Sequence, residues 1–213
     1  MHALLVRISG ECIALFARLI TAVRANWFGI EPVPNQRIYF ANHTSNGDFV
    51  LIWTVLPPAL RSRTRPVAAA DYWLTSRMRQ FIGKDVFRAV LIERDPEKRT
   101  ADPVAQMVEA LDAGASLILF PEGTRNTTQA RLLPFKAGLF HLASTRPEVD
   151  LVPTWISNLN HVMPKGEIVP IPLICTIGFG APLRLETGEA KDAFLKRAEA
   201  ALLSLAPAGE TGS

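Results

Sequence analysis

The 213-residue chain is long enough for one domain with a full hydrophobic core, and 48% apolar residues is ordinary for a globular protein and too low for a polytopic membrane protein. Cys12 and Cys175 are isolated and lack CxxC spacing, so zinc-binding and thioredoxin-type chemistry are unsupported. Each sits in an apolar stretch and is expected to be a small buried hydrophobe in a reducing, cytoplasmic compartment, while the net charge of +3 decides little by itself.

Arg7, Glu11, Arg18 and Arg24 interrupt the hydrophobic residues 1–27. No run approaches the roughly 18–20 apolar residues of a spanning helix, and no small-residue cleavage site marks a signal peptide. At about 100° per residue, Arg7, Glu11, Ala14, Arg18 and Thr21 form a narrow stripe. The wide opposite face carries Leu4, Leu5, Ile8, Cys12, Leu15, Phe16, Leu19 and Val23, with Trp27 near its end. Two placements stay open for this helix: packed on the protein's own core, or lying in a membrane interface with arginine and tryptophan at its edges. The expected organisation is an amphipathic helix over 1–27, a main domain over 28–206, and a small, polar, frayed tail over 207–213.

After Pro32 and Pro34, short apolar runs alternate with helical patterns. Strands are expected at 37–41, 66–70, 89–93, 116–120, 150–156 and 173–179, and helices near 48–56, 74–84, 101–113, 136–145 and 189–205. Asp102 followed by Pro103 starts the third of these helices, and Gly114 stops it. The alternation implies an α/β fold: a central, mostly parallel mixed sheet with flanking helices. Arg61, Arg63, Arg65, Arg77, Arg79, Lys84 and Arg88 fall within 28 residues whose only acids are Asp71 and Asp85. Such a block suits either a solvated face or contact with anionic lipid or phosphate esters. No nucleic-acid-binding motif accompanies it. Residues 158–173, with three prolines and a glycine, read as a loop open to contact with substrate or membrane.

Polar residues recur at the expected strand ends. His43 follows the first strand, Asp71 the second, Glu93 and Arg94 close the third, and "PEGTR" (121–125) follows the fourth. Open α/β sheets bind ligands outside the carboxyl ends of their strands, so these residues converge on one edge.

"ANHTSNGDFV" (41–50) admits three roles for His43 and Asp48. Ser45 at an N-cap with Asp48 three residues later resembles a capping box, which leaves His43 unexplained. A metal needs more ligands than one histidine and one aspartate. A general base with an orienting carboxylate uses both, provided the chain bends at 43–46, as Asn46-Gly47 allows. The carboxylate then holds one ring nitrogen and leaves the other to take a proton. Capping and catalysis are compatible.

"SLILFPEGTRN" reads as a buried strand stopped by Pro121, with Gly123 making a tight turn that directs Arg125 outward. Arg125 is then either a surface arginine or a phosphate ligand, because guanidinium binds phosphate oxygens bidentately. Lys136 begins the next helix, where free N–H groups also favour an anion, and Arg94 adds a third cation near the same edge.

The ordered set "NHTSNGD", "AVLIER", "FPEGTR" and "LVPTW", running from Asn42 to Trp155, resembles the four blocks of the glycerolipid acyltransferase superfamily, in particular its 1-acylglycerol-3-phosphate acyltransferases. The resemblance implies a base, His43, that deprotonates an acceptor hydroxyl for direct attack on an acyl thioester, with Asp48 orienting it. By position it implies substrate binding by Asn42, Arg94, Glu122, Gly123, Thr124, Arg125 and Lys136 on the glycerol phosphate side. Val152, Pro153 and Thr154 would shape the acyl or donor side. It further implies lysophosphatidate as acceptor, or alternatively another lysophospholipid or a lyso-aminolipid, and acyl-CoA or acyl-carrier protein as donor. No cofactor and no metal would be required, and the enzyme would be peripheral, on an anionic membrane surface at the cytoplasmic face of the cell membrane. Two departures stand out. The second block ends Glu93-Arg94 where the family usually has aspartate-arginine, and one amphipathic helix precedes the first strand where some members carry two.

Overall fold

The computed structural model describes residues 1–157 and 175–207. The loop expected at 158–173 and the tail beyond 207 lie outside the described residues. Among those residues, the core is a seven-stranded sheet in the order β1-β7-β6-β2-β5-β3-β4. Its strands are β1 (Arg24–Trp27), β2 (Arg37–Ala41), β3 (Thr64–Ala69), β4 (Val90–Ile92), β5 (Ser116–Leu119), β6 (Asp150–Ser157) and β7 (Thr176–Phe179). Every pairing is parallel except β6 with β7, so the sheet is mostly parallel and mixed, as expected.

The helices are α1 (His2–Thr21), α2 (Asp48–Val55), α3 (Pro58–Arg61), α4 (Ala70–Trp73), α5 (Arg77–Gln80), α6 (Pro103–Asp112), α7 (Gly138–Thr145) and α8 (Lys191–Leu203). The sheet is buried on both faces, as parallel sheets are. Along β2 the side chains alternate: Tyr39 and Ala41 join a core with Leu51, Ile52 and Trp53 of α2. Ile38 and Phe40 join the opposite core with Leu139 of α7 and Phe194 of α8.

Several elements differ from the sequence reading, among them the unexpected short helix α4. The N-terminal helix ends at Thr21 rather than near Trp27, because Ala22 adopts a left-handed conformation (φ 44°) that closes the last turn onto Arg18 O. Arg24–Trp27 then pairs with β7 as an edge strand. The expected helix at 74–84 is broken: Ser76 is extended and caps α5, and a π turn follows at Phe81–Val86. Gly83 in that turn admits the Trp73 ring, since a Cβ there would lie 2.9 Å from its Cε3. A short helix, α3, opens on Pro57-Pro58.

α1 does pack on the protein, through a line of small residues that overlaps the narrow stripe only at Ala14 and Thr21. Gly10, Ala14, Ala17 and Thr21 are buried, Glu11 pairs with Arg61 at 2.6 Å, and Arg18 donates to Thr54 O at 2.9 Å. The wide apolar face is uncovered along the helix, from Ile8 at 51% exposure to Leu19 at 74%, whereas Val23, expected on that face, lies past the helix end and is buried. Cys12 lies on that face and is exposed, contrary to the expectation of burial, while Cys175 is buried. Burial pushes the Cys175 thiol up to about 11.

Candidate active site

The carboxyl ends of β2, β3, β4 and β5 share one edge of the sheet because these strands are parallel. Just past the end of β2, the Asn42 side chain continues the ladder to β6. Its amide donates to Ile156 O at 3.0 Å and accepts from Ile156 N at 2.8 Å. His43 is held by its backbone on both sides: its N–H donates to Glu122 Oε1 at 2.8 Å and its carbonyl accepts from Asn126 N at 2.7 Å. The imidazole stacks on Phe120, 4.2 Å between centroids and 18° between planes.

His43 Nδ1 lies 2.7 Å from Asp48 Oδ2, and the same oxygen accepts from Thr44 N at 2.7 Å and Ser45 N at 2.9 Å. Two backbone donors make that oxygen an acceptor, so Nδ1 carries the proton shared with it and Nε2 is left free. Asp48 is fully buried, and its Oδ1 has no hydrogen-bond partner among the described residues. The imidazole is 20% exposed and faces a cleft. The capping box forms only by half. Asp48 reaches back to Ser45 N, but Ser45 Oγ accepts from Gly47 N at 3.2 Å, because α2 starts at Asp48 itself with Gly47 as its cap.

Glu122 is buried and spans two loops, Oε2 accepting from Leu133 N at 2.8 Å while Oε1 holds His43. Burial pushes its carboxyl above the usual glutamate range, against the lowering effect of those two bonds. Gly123 has φ +69°, and the Lys136 side chain lies across it: a Cβ would sit 2.7 Å from Cδ, Cε and Nζ. Glycine here serves both the turn and the close approach.

The cleft has a volume of about 580 Å³. His43, Gly123, Thr124, Arg125, Lys136 and Arg94 line its polar side, and Phe49, Trp73, Met107, Leu119 and Phe120 are among its apolar walls. Among the described residues, neither Arg125 nor Lys136 is in an ion pair. Arg94 is bonded to Asp71, whose carboxyl it holds below the usual range. α7 begins two residues later than expected, so Lys136 precedes its first turn; Gly138 and Leu139 of that turn also line the cleft.

Several residues assigned to substrate by position do not reach the cleft. Asn42 and Glu122 are buried struts behind it. Val152, Pro153 and Thr154 are buried within β6, where Thr154 Oγ1 donates to Val152 O at 3.1 Å, and they are absent from the cleft wall. Glu93 also turns away, accepting from Asp95 N at 2.9 Å within its own loop. The sequence reading missed Arg99, Tyr72 and Trp73, all on the cleft wall. The aromatic pair follows Asp71 at a strand end and was open to the same rule; Arg99 lies in an aperiodic polar loop with no such signal. Among the described residues, no group of three or more His, Cys, Asp or Glu is placed to hold a metal ion.

Fold and site together define an α/β protein that sets Arg125 and Lys136 in one cleft with a histidine whose Nδ1 is held by a buried carboxylate. The family model described as Acyltransferase matches residues 24–157, more than half of the sequence, and the chain belongs to that family. Relatives include 1-acyl-sn-glycerol-3-phosphate acyltransferases of Cocos nucifera, 26% identical over 76% of this chain and 50% of the relative, and of Salmonella typhimurium, 30% identical over 58% and 48%. The alpha enzyme of that name from Mus musculus is 31% identical over 72% of this chain and 52% of its own. The chain thus spans about half the length of the curated relatives it matches. In fold it is similar to the crystal structure of the 1-acyl-sn-glycerophosphate acyltransferase PlsC of Thermotoga maritima. The TM-score is 0.71 at 19% identity, covering 94% of this chain and 79% of that one.

Proposed function

We propose that the protein is a 1-acylglycerol-3-phosphate O-acyltransferase of phospholipid biosynthesis, moving a fatty acyl chain from acyl-CoA or acyl-carrier protein onto lysophosphatidate. The observation that carries the reading is the His43–Asp48 pair, its carboxylate buried and its imidazole facing a cleft that also holds Arg125 and Lys136, neither ion-paired among the described residues. A thioesterase would need the base but not the cations, since water bears no phosphate to hold. A non-catalytic lipid-binding protein would need the cations but no oriented base.

In the proposed reaction Nε2 of His43 takes the proton of the acceptor hydroxyl as its oxygen attacks the thioester carbonyl carbon. The C–S bond then breaks, and the leaving thiolate receives that proton from the imidazolium. Asp48 fixes the tautomer and balances the transient positive charge. Arg125 and Lys136, with Arg94 once released from Asp71, hold the acceptor phosphate. No metal or redox cofactor enters this scheme.

The uncovered apolar face of α1 supports a peripheral seat on the membrane. No helix among the described residues is long and apolar enough to cross a bilayer, and an exposed row of Leu, Ile and Phe suits the headgroup boundary. The test is thiol release from acyl-CoA with and without lysophosphatidate. Release that depends on the acceptor, with phosphatidate as product, is expected; acceptor-independent release would overturn the proposal in favour of a thioesterase.

A further inference from the structure

The basic run at 61–88 separates in the fold into parts with different surroundings. Arg61 is buried, paired with Glu11 and stacked on Trp53 with its guanidinium 4.9 Å from the ring. Arg65 Nε donates to Arg88 O, away from the cleft wall. Residues 74–84 are different. They place Leu74 at 43% and Met78 at 70% exposure, interleaved with the exposed cations Arg77 and Lys84 and the half-buried Arg79.

This stretch lies between the cleft and the N-terminal helix. On one side it continues from Tyr72 and Trp73, which line the cleft. On the other it runs into the π turn, which meets the start of α1. There His2 lies 3.8 Å from Asp85 and its ring 6.1 Å from that of Phe81. The adjoining turns of α1 expose Leu4, Leu5 and Ile8. The uncovered face of α1, the 74–84 ledge and the cleft mouth therefore follow one another along the surface.

We infer that residues 74–84 are a second membrane-contact element, docking on an anionic bilayer beside α1 and setting the mouth of the cleft on the bilayer surface. The chemistry matches that partner. Leu74 and Met78 are apolar groups of the size that enter the acyl boundary, and the flanking guanidinium and ammonium groups meet lipid phosphates there. Tyr72 is itself covered by Arg79, 4.4 Å from its ring, which keeps a cation at the junction of ledge and cleft. An acceptor with one acyl chain would then reach His43 without its chain crossing water. The inference rests on the proposed lipid acceptor and adds how that acceptor is delivered.

Two double variants test it, Leu74→Ser/Met78→Ser and Arg77→Gln/Lys84→Gln, none of these residues being on the cleft wall. Binding is measured by flotation with vesicles of phosphatidylcholine alone and of phosphatidylcholine with phosphatidylglycerol. The charge variant should bind the anionic vesicles roughly tenfold more weakly and the neutral ones unchanged; the apolar variant should lose binding to both. Turnover should fall with acceptor held in anionic vesicles and stay at the wild-type level with a short-chain, water-soluble acceptor. Unchanged flotation in both variants overturns the inference, as does an equal fall with both acceptors, which would place the residues in catalysis or folding. Equal loss of the charge variant on neutral and anionic vesicles would refute the anionic partner. Absence of transfer by the wild-type protein to any acceptor would defeat the proposed function, while flotation would still decide the docking element.

Discussion

Replacing Asp48 by asparagine separates the charge of the pair from its geometry. One carboxylate oxygen accepts all three bonds at this point, from Thr44 N at 2.7 Å, Ser45 N at 2.9 Å and the His43 ring at 2.7 Å. The two backbone donors require an acceptor, so the asparagine carbonyl takes that place and its amide falls where Oδ1 already lacks a partner. Imidazole orientation and tautomer are then kept. Folding loses the difference between charge-assisted and neutral hydrogen bonds, about 1–2 kcal/mol, or roughly 2–8 °C in Tm for a chain of this size. What disappears is the negative charge beside the imidazolium. With charge centres about 4 Å apart and an effective dielectric constant of about 20, Coulomb's law gives at most about 4 kcal/mol. A net effect of about 3–4 kcal/mol lowers kcat by roughly 10²–10³, with acceptor KM little changed. Initial rates of acceptor-dependent thiol release, with thermal unfolding of the same samples, measure both quantities. A kcat within tenfold of wild type would show that the charge does not assist His43. A fall in Tm well beyond 8 °C would refute the claim that asparagine preserves the geometry.

Arg125→Ala removes one cation from the cleft and should raise acceptor KM roughly 10- to 100-fold at nearly constant kcat, as expected for a charge-assisted phosphate contact; a loss confined to kcat would refute that role. Gly123→Ala meets both the positive φ and the Lys136 side chain, so it should destabilise by roughly 1–2 kcal/mol and raise acceptor KM about as much as Lys136→Ala. An unchanged KM would show that the path of Lys136 over Gly123 has no bearing on binding. Glu122→Gln keeps one acceptor for two buried donors and turns an NH₂ toward the other, which should destabilise the fold by about 1–3 kcal/mol. Because burial raises the folded-state pKa of Glu122, the folded chain holds this proton longer than the unfolded chain. Its contribution to wild-type stability is therefore present at low pH and is lost as pH rises from the usual glutamate value through the raised one. The Tm gap between wild type and Glu122→Gln should narrow over that interval, and a widening gap would contradict the sign.

Much of the architecture was legible in the sequence because it rests on local patterns. The β2 limits, 37–41, follow from a short apolar run that ends at a turn, and the start of α6 follows from Asp102-Pro103. The meeting of His43, Arg94 and "PEGTR" at one edge followed from strands alternating with helices, since parallel strands end on the same side. Spacing also made the His43–Asp48 pair legible, because a bend at Asn46-Gly47 needs only local chain geometry.

What the tertiary structure alone decided is where each side chain points and what covers it. Asn42 and Glu122 belong to the same short polar stretches as His43 and Arg125, yet they are buried struts that tie His43 to β6 and to the 133 loop. Sequence order does not separate the two fates, because the partners, Ile156 and Leu133, are remote in the chain. The same holds for Val152, Pro153 and Thr154, whose place in a central strand buries them from both sides. α1 is the sharpest case. Its periodicity defines two stripes but not which one meets the protein, and the smaller residues won, because Gly10, Ala14 and Ala17 permit a close approach that leucine and phenylalanine on the wide face would prevent.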